Sequence, residues 1–174
     1  MAMLPIYKIS IFRNELILQV PITHLYKIIY FLKKHTYAQY KVLIDICGVD
    51  YIERSPRFEV IYNLLSIRYN SRITIKTGLS EIMPVESISD IFMNANWWER
   101  EVWDMFGIFF LNHPDLRRIL TDYGFEGFPL RKDFPLTGFV ETRYYEQVKR
   151  IVYEPLELSQ NYHVYNFENP WTKF

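Results

Sequence analysis

The hydrophobic periodicity of this chain stops at His113, and that break constrains the fold more than any other feature. Before it, apolar residues recur at intervals of two, or of three and four, the spacings of strands and helices. After it, five of the nine prolines (Pro114, Pro129, Pro135, Pro155, Pro170) are interspersed with Gly124, Gly127 and Gly138. Apart from short stretches around Asn112–Leu120 and Tyr144–Val152, neither period is kept there. The segment is nonetheless full of Phe, Tyr, Leu and Trp, which disordered tails avoid. A structureless loop of that length inside a compact domain is unusual. An apolar stretch that cannot bury itself reads as an arm laid on another protein. The expected organisation is an α+β core domain over residues 1–112 and an extended C-terminal arm over residues 113–174.

Within the first segment, Ile9 and Ile11, then Leu16, Leu18 and Val20, alternate with polar residues about Arg13-Asn14, the pattern of two strands joined by a turn. Pro21 suits a first helical turn. Leu25, Ile28, Ile29 and Leu32 follow at helical spacing, with Lys33, Lys34 and His35 where a helix C-terminus favours positive charge. Three further strands are expected. Lys41–Cys47 closes at Gly48. Phe58, Val60, Tyr62 and Leu64 continue out of phase as Ile67 and Tyr69, so a β-bulge is expected at Leu64-Leu65. After a turn at Asn70-Ser71, Ile73 and Ile75 alternate with Arg72, Thr74 and Lys76. The spacing of Val85, Ile88, Ile91 and Phe92 predicts a helix from Pro84. A second helix carries Trp98, Val102, Met105 and Phe106, with Asn96 as its cap, Glu99 reaching back to that cap, and Gly107 as its stop. The expected fold class is α+β: a small mixed or antiparallel sheet with two main helices packed on it, followed by the arm.

Charge and cysteine usage narrow the function classes. Twenty Lys+Arg against 20 Asp+Glu leave no net cationic field of the kind nucleic acid requires. The sole cysteine, Cys47, permits neither an internal disulfide nor a zinc or iron–sulfur site built from this chain's own thiolates. On an apolar strand without a basic neighbour it reads as buried and inert. No apolar run approaches the ~20 residues of a membrane-spanning helix. Met1-Ala2-Met3-Leu4-Pro5 has neither a signal nor a transit pattern.

The densest charged cluster is Glu99, Arg100, Glu101 and Asp104, followed by His113, Asp115, Arg117 and Arg118. Glu101 and Asp104 are helical neighbours, so a carboxylate pair with His113 as proton relay describes a standalone acid–base enzyme. Arg100, four residues before Asp104, neutralises that face, and no His or Cys shares it as a metal ligand. A structural or interface ion network is therefore favoured. GxGxxG, Walker A, GxSxG, HExxH and CxxC patterns are all absent. Arg117-Arg118, Arg131-Lys132, Arg143, Lys149 and Arg150 stud the aromatic segment. Arginine among aromatics is the composition of interface anchors. It also suits an RNA-binding module, but the interleaved Asp115, Asp133, Glu141 and Glu154 cancel the field.

The stretch Glu99-Arg100-Glu101-Val102-Trp103-Asp104-Met105-Phe106-Gly107-Ile108, followed by His113-Pro114-Asp115-Leu116-Arg117-Arg118-Ile119-Leu120, resembles the 30 kDa subunit family of NADH:ubiquinone oxidoreductase, respiratory complex I. Members are called subunit nine when mitochondrially encoded. Residues 121–138, with Pro129-Leu130-Arg131-Lys132-Asp133, resemble it equally, as do Glu154-Pro155 to Pro170-Trp171, residues 43–51 and residues 57–62. Phe139 and Tyr145 stand where Tyr and Asp are expected. The resemblance implies a peripheral subunit on the matrix side of the mitochondrial inner membrane, or on the cytoplasmic face of a bacterial membrane. It implies no cofactor bound by this chain, with NADH, FMN, iron–sulfur clusters and ubiquinone handled by other subunits. The implied partner is the large hydrogenase-like subunit of the quinone site, over which the arm would wrap. The implied role is structural, in a non-catalytic subunit of a proton-translocating oxidoreductase. On that reading the signature and interface residues are Glu99, Arg100, Glu101, Asp104, His113, Arg117, Arg118, Arg131, Lys132, Asp133 and Arg143, none of them catalytic or metal-binding.

Overall fold

Arg13 and Asn14 both take positive φ (51° and 64°), which is the backbone a tight two-residue hairpin needs. They join β1 (Lys8–Phe12) to β2 (Glu15–Gln19) as the alternation requires. The structure is a computed structural model that describes residues 4–167 with Asn169 and Trp171; expectations touching Met1–Met3 and Pro170 lie outside the described residues. After a 3-10 turn at Ile22–His24 comes α1 (Leu25–Lys34), which buries Leu25, Ile28, Ile29 and Leu32 and ends on Lys33 and Lys34.

Strands β3 (Val42–Asp50), β4 (Phe58–Ser66) and β5 (Ser71–Leu79) complete a five-stranded mixed sheet in the order β1-β2-β5-β4-β3. The β2–β5 pair is parallel and the others are antiparallel. One face of the sheet, including Leu18, Val60, Tyr62, Leu64, Ile73 and Ile75, shares a single core with α1 and with α2 (Ala95–Phe106). The α+β class with two helices on one sheet is therefore observed. Gly107 ends α2 in the left-handed conformation (φ 74°), which costs a glycine least.

Several local expectations differ. The bulge lies on β3, between Leu43 and Asp45, and β4 runs in unbroken alternation through buried Ser66. Ile67, read as continuing the apolar face, is 72% exposed in the turn. No helix starts at Pro84. Val85–Glu86 forms a short β6 paired in parallel with β7 (Phe110–Leu111), and Ile88, Ile91 and Phe92 are buried from turns. The start of the segment is committed to β7, with Val85 N–H donating to Phe109 O and Ser87 N–H to Leu111 O, both at 2.9 Å, and only the Ile91 and Phe92 amides turn back to Ile88 O. Asn96 does not cap α2. The preceding residue is Asn94, whose Nδ2 donates to Leu43 O (2.9 Å), and Glu99 turns into the core. Cys47 is exposed rather than buried, because it lies on the face of β3 away from the helices.

The chain divides at Pro135 rather than at His113, into units Met1–Phe134 and Pro135–Phe174. Residues 113–134 belong to the first unit because charged side chains tie them to it, as detailed below. In the second unit, β8 (Val140–Tyr145) and β9 (Arg150–Pro155) form an antiparallel hairpin. None of its described residues is buried.

At Gly48 the sheet approaches the Phe106 ring of α2 closely. A Cβ built there would lie 2.6 Å from the Phe106 ring. Gly48→Val should thus lower the unfolding free energy by about 1–3 kcal/mol, the usual cost of overpacking. Denaturant titration of the purified chain measures it.

Candidate functional site

The second helix brings two carboxylates into the interior by different routes. Ala95, Glu99, Val102 and Phe106 fall on one stripe at spacings of four, three and four, so Glu99 enters the core with its apolar neighbours. Asp104 lies off that stripe and is buried because the chain returns over it. Both residues have no exposed surface.

Asp104 organises the returning chain. Its Oδ2 accepts from the backbone N–H groups of Ile119 (3.3 Å), Leu120 (2.8 Å) and Thr121 (3.0 Å). Its Oδ1 accepts from the Thr121 hydroxyl (2.7 Å) and faces Arg118 Nε at 3.6 Å. Burial alone would raise this carboxyl. The Thr121 hydroxyl and the three amides outweigh burial and hold it below the usual carboxylate range.

Arg118 extends the clamp. Its guanidinium donates to Phe125 O (2.9 Å) and Gly127 O (2.7 Å) and stacks over Phe125 and Phe128. Arg131 Nε donates to Phe106 O (2.7 Å), Nη1 pairs with Glu81, and the guanidinium lies over Phe58 and Phe128. Asp50, at the end of β3, receives Arg57 in a two-pronged contact (2.8 and 2.9 Å) and the Lys132 N–H (2.9 Å). The Arg57 hydrogen bonds hold the Asp50 carboxyl low against the opposing effect of burial. Arg57 also reaches Asp133 at 2.9 Å. Arg100 Nε donates to Arg117 O (3.1 Å), while the exposed Arg117 side chain meets Asp115 (3.1 Å).

The expected residues thus separate into groups. Asp104 with Arg118, Arg131 near the end of α2, and Asp133 with Arg57 fasten residues 113–134 onto their own unit. The charge-bearing end of Lys132 does not take part, since its contact is through the backbone. Arg143 pairs with Glu154 across the second unit's hairpin (2.7 and 2.8 Å). Glu101, Asp104 and His113 are not brought together as an acid–base site. Glu101 is half-buried and its charge is felt by Cys47, whose thiol is raised first by burial and then by Asp45. His113 Nε2 contacts Asn96 O (3.1 Å) and lies 3.8 Å from Glu99. Among the described residues, no group of three or more His, Cys, Asp or Glu could hold a metal ion, and no helix is long and apolar enough to cross a membrane. Sequence reasoning missed Asp50, Arg57 and Ser87 as anchors. The α2 stripe held the signal for burial of Glu99.

Apolar groups also face outward from this network. Between the clamped arginines, Leu120 is 61% exposed, Tyr123 99% and Leu130 52%. Arg118 and Arg131 are drawn in while these large apolar groups stay outside, beside the exposed Asp115, Arg117, Asp122, Glu126, Lys132 and Asp133.

Comparison with known proteins gives four findings. The family described as "Respiratory-chain NADH dehydrogenase, 30 Kd subunit" matches residues 18–140. A "NADH dehydrogenase [ubiquinone] iron-sulfur protein 3" of Solanum tuberosum is 60% identical over 148 residues, covering 85% of this chain and 78% of that protein. A "NADH-ubiquinone oxidoreductase subunit 9" of Reclinomonas americana is 57% identical over 159 residues, covering 91% and 78%. In fold, a chain from the structure of the membrane-bound sulfane sulfur reductase, an archaeal respiratory membrane complex, superposes with a TM-score of 0.65 at 23% identity, covering 74% of this chain and 77% of that one.

The two buried carboxylates should leave opposite signatures in stability against pH. Asp104, held low, stabilises the fold above the ordinary carboxylate range, and that contribution is lost as pH falls through its folded value. Glu99, raised by burial from 4.5 to about 7, favours the fold most below its unfolded value and loses that contribution as pH climbs through about 7. Asp104→Asn should cost about 1–3 kcal/mol at neutral pH and flatten the acid limb. Glu99→Gln should flatten the neutral limb. Chemical denaturation across pH reads both.

Proposed function

The chain belongs to the 30 kDa subunit family of the respiratory-chain NADH dehydrogenase, and from that premise we propose that it is a scaffold of the quinone-reducing module that carries no redox centre. Its partner on this reading is the large hydrogenase-like subunit of the quinone site, and it sits peripherally on the matrix side of the mitochondrial inner membrane. NADH, FMN, iron–sulfur clusters and ubiquinone are handled by other subunits. The observation that carries the proposal is the outward apolar set of segment 113–134. Asp104, Arg118 and Arg131 fasten the segment from within the chain, and Leu120, Tyr123 and Leu130 are held outward on it. A monomer gains nothing from exposing such groups, whereas a docked subunit buries them. The second unit, a hairpin with no buried described residue, supports the same reading as an arm completed by a neighbour.

The term iron–sulfur in a relative's name belongs to that protein. The donor set here does not fit a cluster, because Cys47 is the only cysteine and clusters are held by several thiolates. Purified chain should accordingly contain iron and flavin at well below one equivalent, and stoichiometric amounts of either would refute the scaffold reading.

Docking is tested at the outward groups. Leu120→Ser with Tyr123→Ala should leave the isolated chain's stability within about 0.5 kcal/mol of wild type, as surface changes do. Each large side chain buried at an interface contributes roughly 1.5–3 kcal/mol, so the pair should weaken assembly on the order of a hundredfold or more. NADH-to-quinone activity, normalised to assembled complex on a native gel, should stay near wild type while the amount assembled falls. Full assembly with collapsed turnover would place these residues in the reaction path and end the scaffold reading.

A further inference from the structure

Glu99 is buried where three parts of the chain meet, and none of them supplies a full positive charge to it. From the segment after β6, Ser87 Oγ (2.5 Å) and the Ile88 N–H (2.8 Å) donate to its carboxylate, while Asp90 presents a like charge. From β4, Tyr62 is fully buried within electrostatic reach of it, and the Tyr62 hydroxyl has no hydrogen-bond partner. From the segment after β7, His113 places Nε2 3.8 Å from Glu99 Oε2, both side chains having no exposed surface. On α2 itself, the neighbouring Arg100 is spent on Arg117 O, and Asp104 faces Arg118 and the loop amides.

The hydrogen bonds of His113 define its protonation. The Asp115 N–H donates to Nδ1 at 3.1 Å, so that nitrogen keeps its lone pair. The ring proton therefore resides on Nε2 and is donated to Asn96 O at 3.1 Å. One N–H thus lies between two acceptors, the Asn96 carbonyl and the Glu99 carboxyl.

We propose that Glu99, Tyr62 and His113 form a proton-operated latch at the start of the clamped segment. With Glu99 protonated, the cluster is neutral and the His113 N–H holds the Asn96 carbonyl, which ties the chain to the first turn of α2. With Glu99 ionised, the buried charge takes the His113 N–H and the Tyr62 hydroxyl as donors, and the Asn96 carbonyl is released. One proton leaves the Glu99 carboxyl for solvent. Burial raises Glu99 to about 7, so the exchange falls in the neutral range. Pro114 follows the latch directly, and the Asp104 clamp begins four residues later at Arg118. The latch goes beyond the scaffold reading; that it adjusts the seating of the docking surface rests on that reading, and the titration below uses the isolated chain so that the two stand or fall separately.

The test is a titration of the full chain from about pH 5 to about pH 9, followed by nitrogen NMR of the histidine side chains and by the infrared band of protonated carboxyl groups. The His113 Nε2 signal should shift with a midpoint near 7 while Nδ1 keeps the signature of an acceptor, and a buried carboxyl band should vanish over the same range. Glu99→Gln should remove both changes, and Tyr62→Phe should move the midpoint upward by removing a donor to the ionised form. A His113 signal that is flat over the range, a shift that survives in Glu99→Gln, or protonation of Nδ1 at the same midpoint would each overturn the latch. The infrared band of wild-type chain decides the matter even if the Gln variant fails to fold.

Discussion

The carboxylate of Asp104 accepts three consecutive backbone amides and a hydroxyl from residues that lie fifteen to seventeen positions further along the chain. The segment that returns over α2 is fastened by that contact. A segment with neither helical nor strand periodicity still has N–H groups that must be satisfied when it packs down. A buried anion at the end of a rigid helix does this without requiring regular structure. The backbone amides compensate the charge, and Arg118 adds its own charge beside it. The guanidinium then satisfies the carbonyls of Phe125 and Gly127, so one ion pair settles donors and acceptors on both sides of a glycine-rich turn.

Two carboxylates on the same helix, five residues apart, thus behave oppositely. Asp104 has amides, a hydroxyl and a cation, and the hydrogen bonds prevail over desolvation. Glu99 has two donors, no cation and a neighbouring Asp90, and desolvation prevails. Burial is common to both, so the sign of the shift is decided by what surrounds each oxygen. The first arrangement makes a permanent anchor. The second makes a group whose charge is in question near neutrality, next to a histidine with no surface exposure.

Legibility from sequence followed the range of the forces involved. The hairpin at Arg13-Asn14, α1 with its lysine end and the stop of α2 at Gly107 are set by neighbours in the chain, and all appear where the pattern put them. The segment Val85–Phe92 has helical spacing but is a strand and turns, because its partner is Phe110–Leu111 and its polar groups serve Glu99. No local pattern carries that information. The change of phase after Leu64 is only the end of β4 at Ser66, and the irregularity lies in β3 at Leu43–Asp45. For the site, the charged signature was visible as a cluster, but its direction was not. Arginine among aromatics fits an interface anchor, but Arg118 and Arg131 reach back to carbonyls of their own chain.

That reversal changes how the segment can recognise a partner. If the arginines faced outward, docking would require them to lose water and to find carboxylates at the moment of contact, with little net gain from each buried pair. Satisfied internally, they incur that cost once, when the chain folds. The loop is then ordered before any encounter, so association need not bear the roughly 0.5–1.5 kcal/mol per side chain that immobilisation takes. On the scaffold proposal, Leu120, Tyr123 and Leu130 would meet the neighbour as apolar surface on a fixed frame, and their burial would convert more directly into affinity. Asp104, Arg118, Arg131 and the Asp50–Arg57–Asp133 set hold the shape, and on the scaffold proposal the apolar residues between them are what the segment offers to a neighbour.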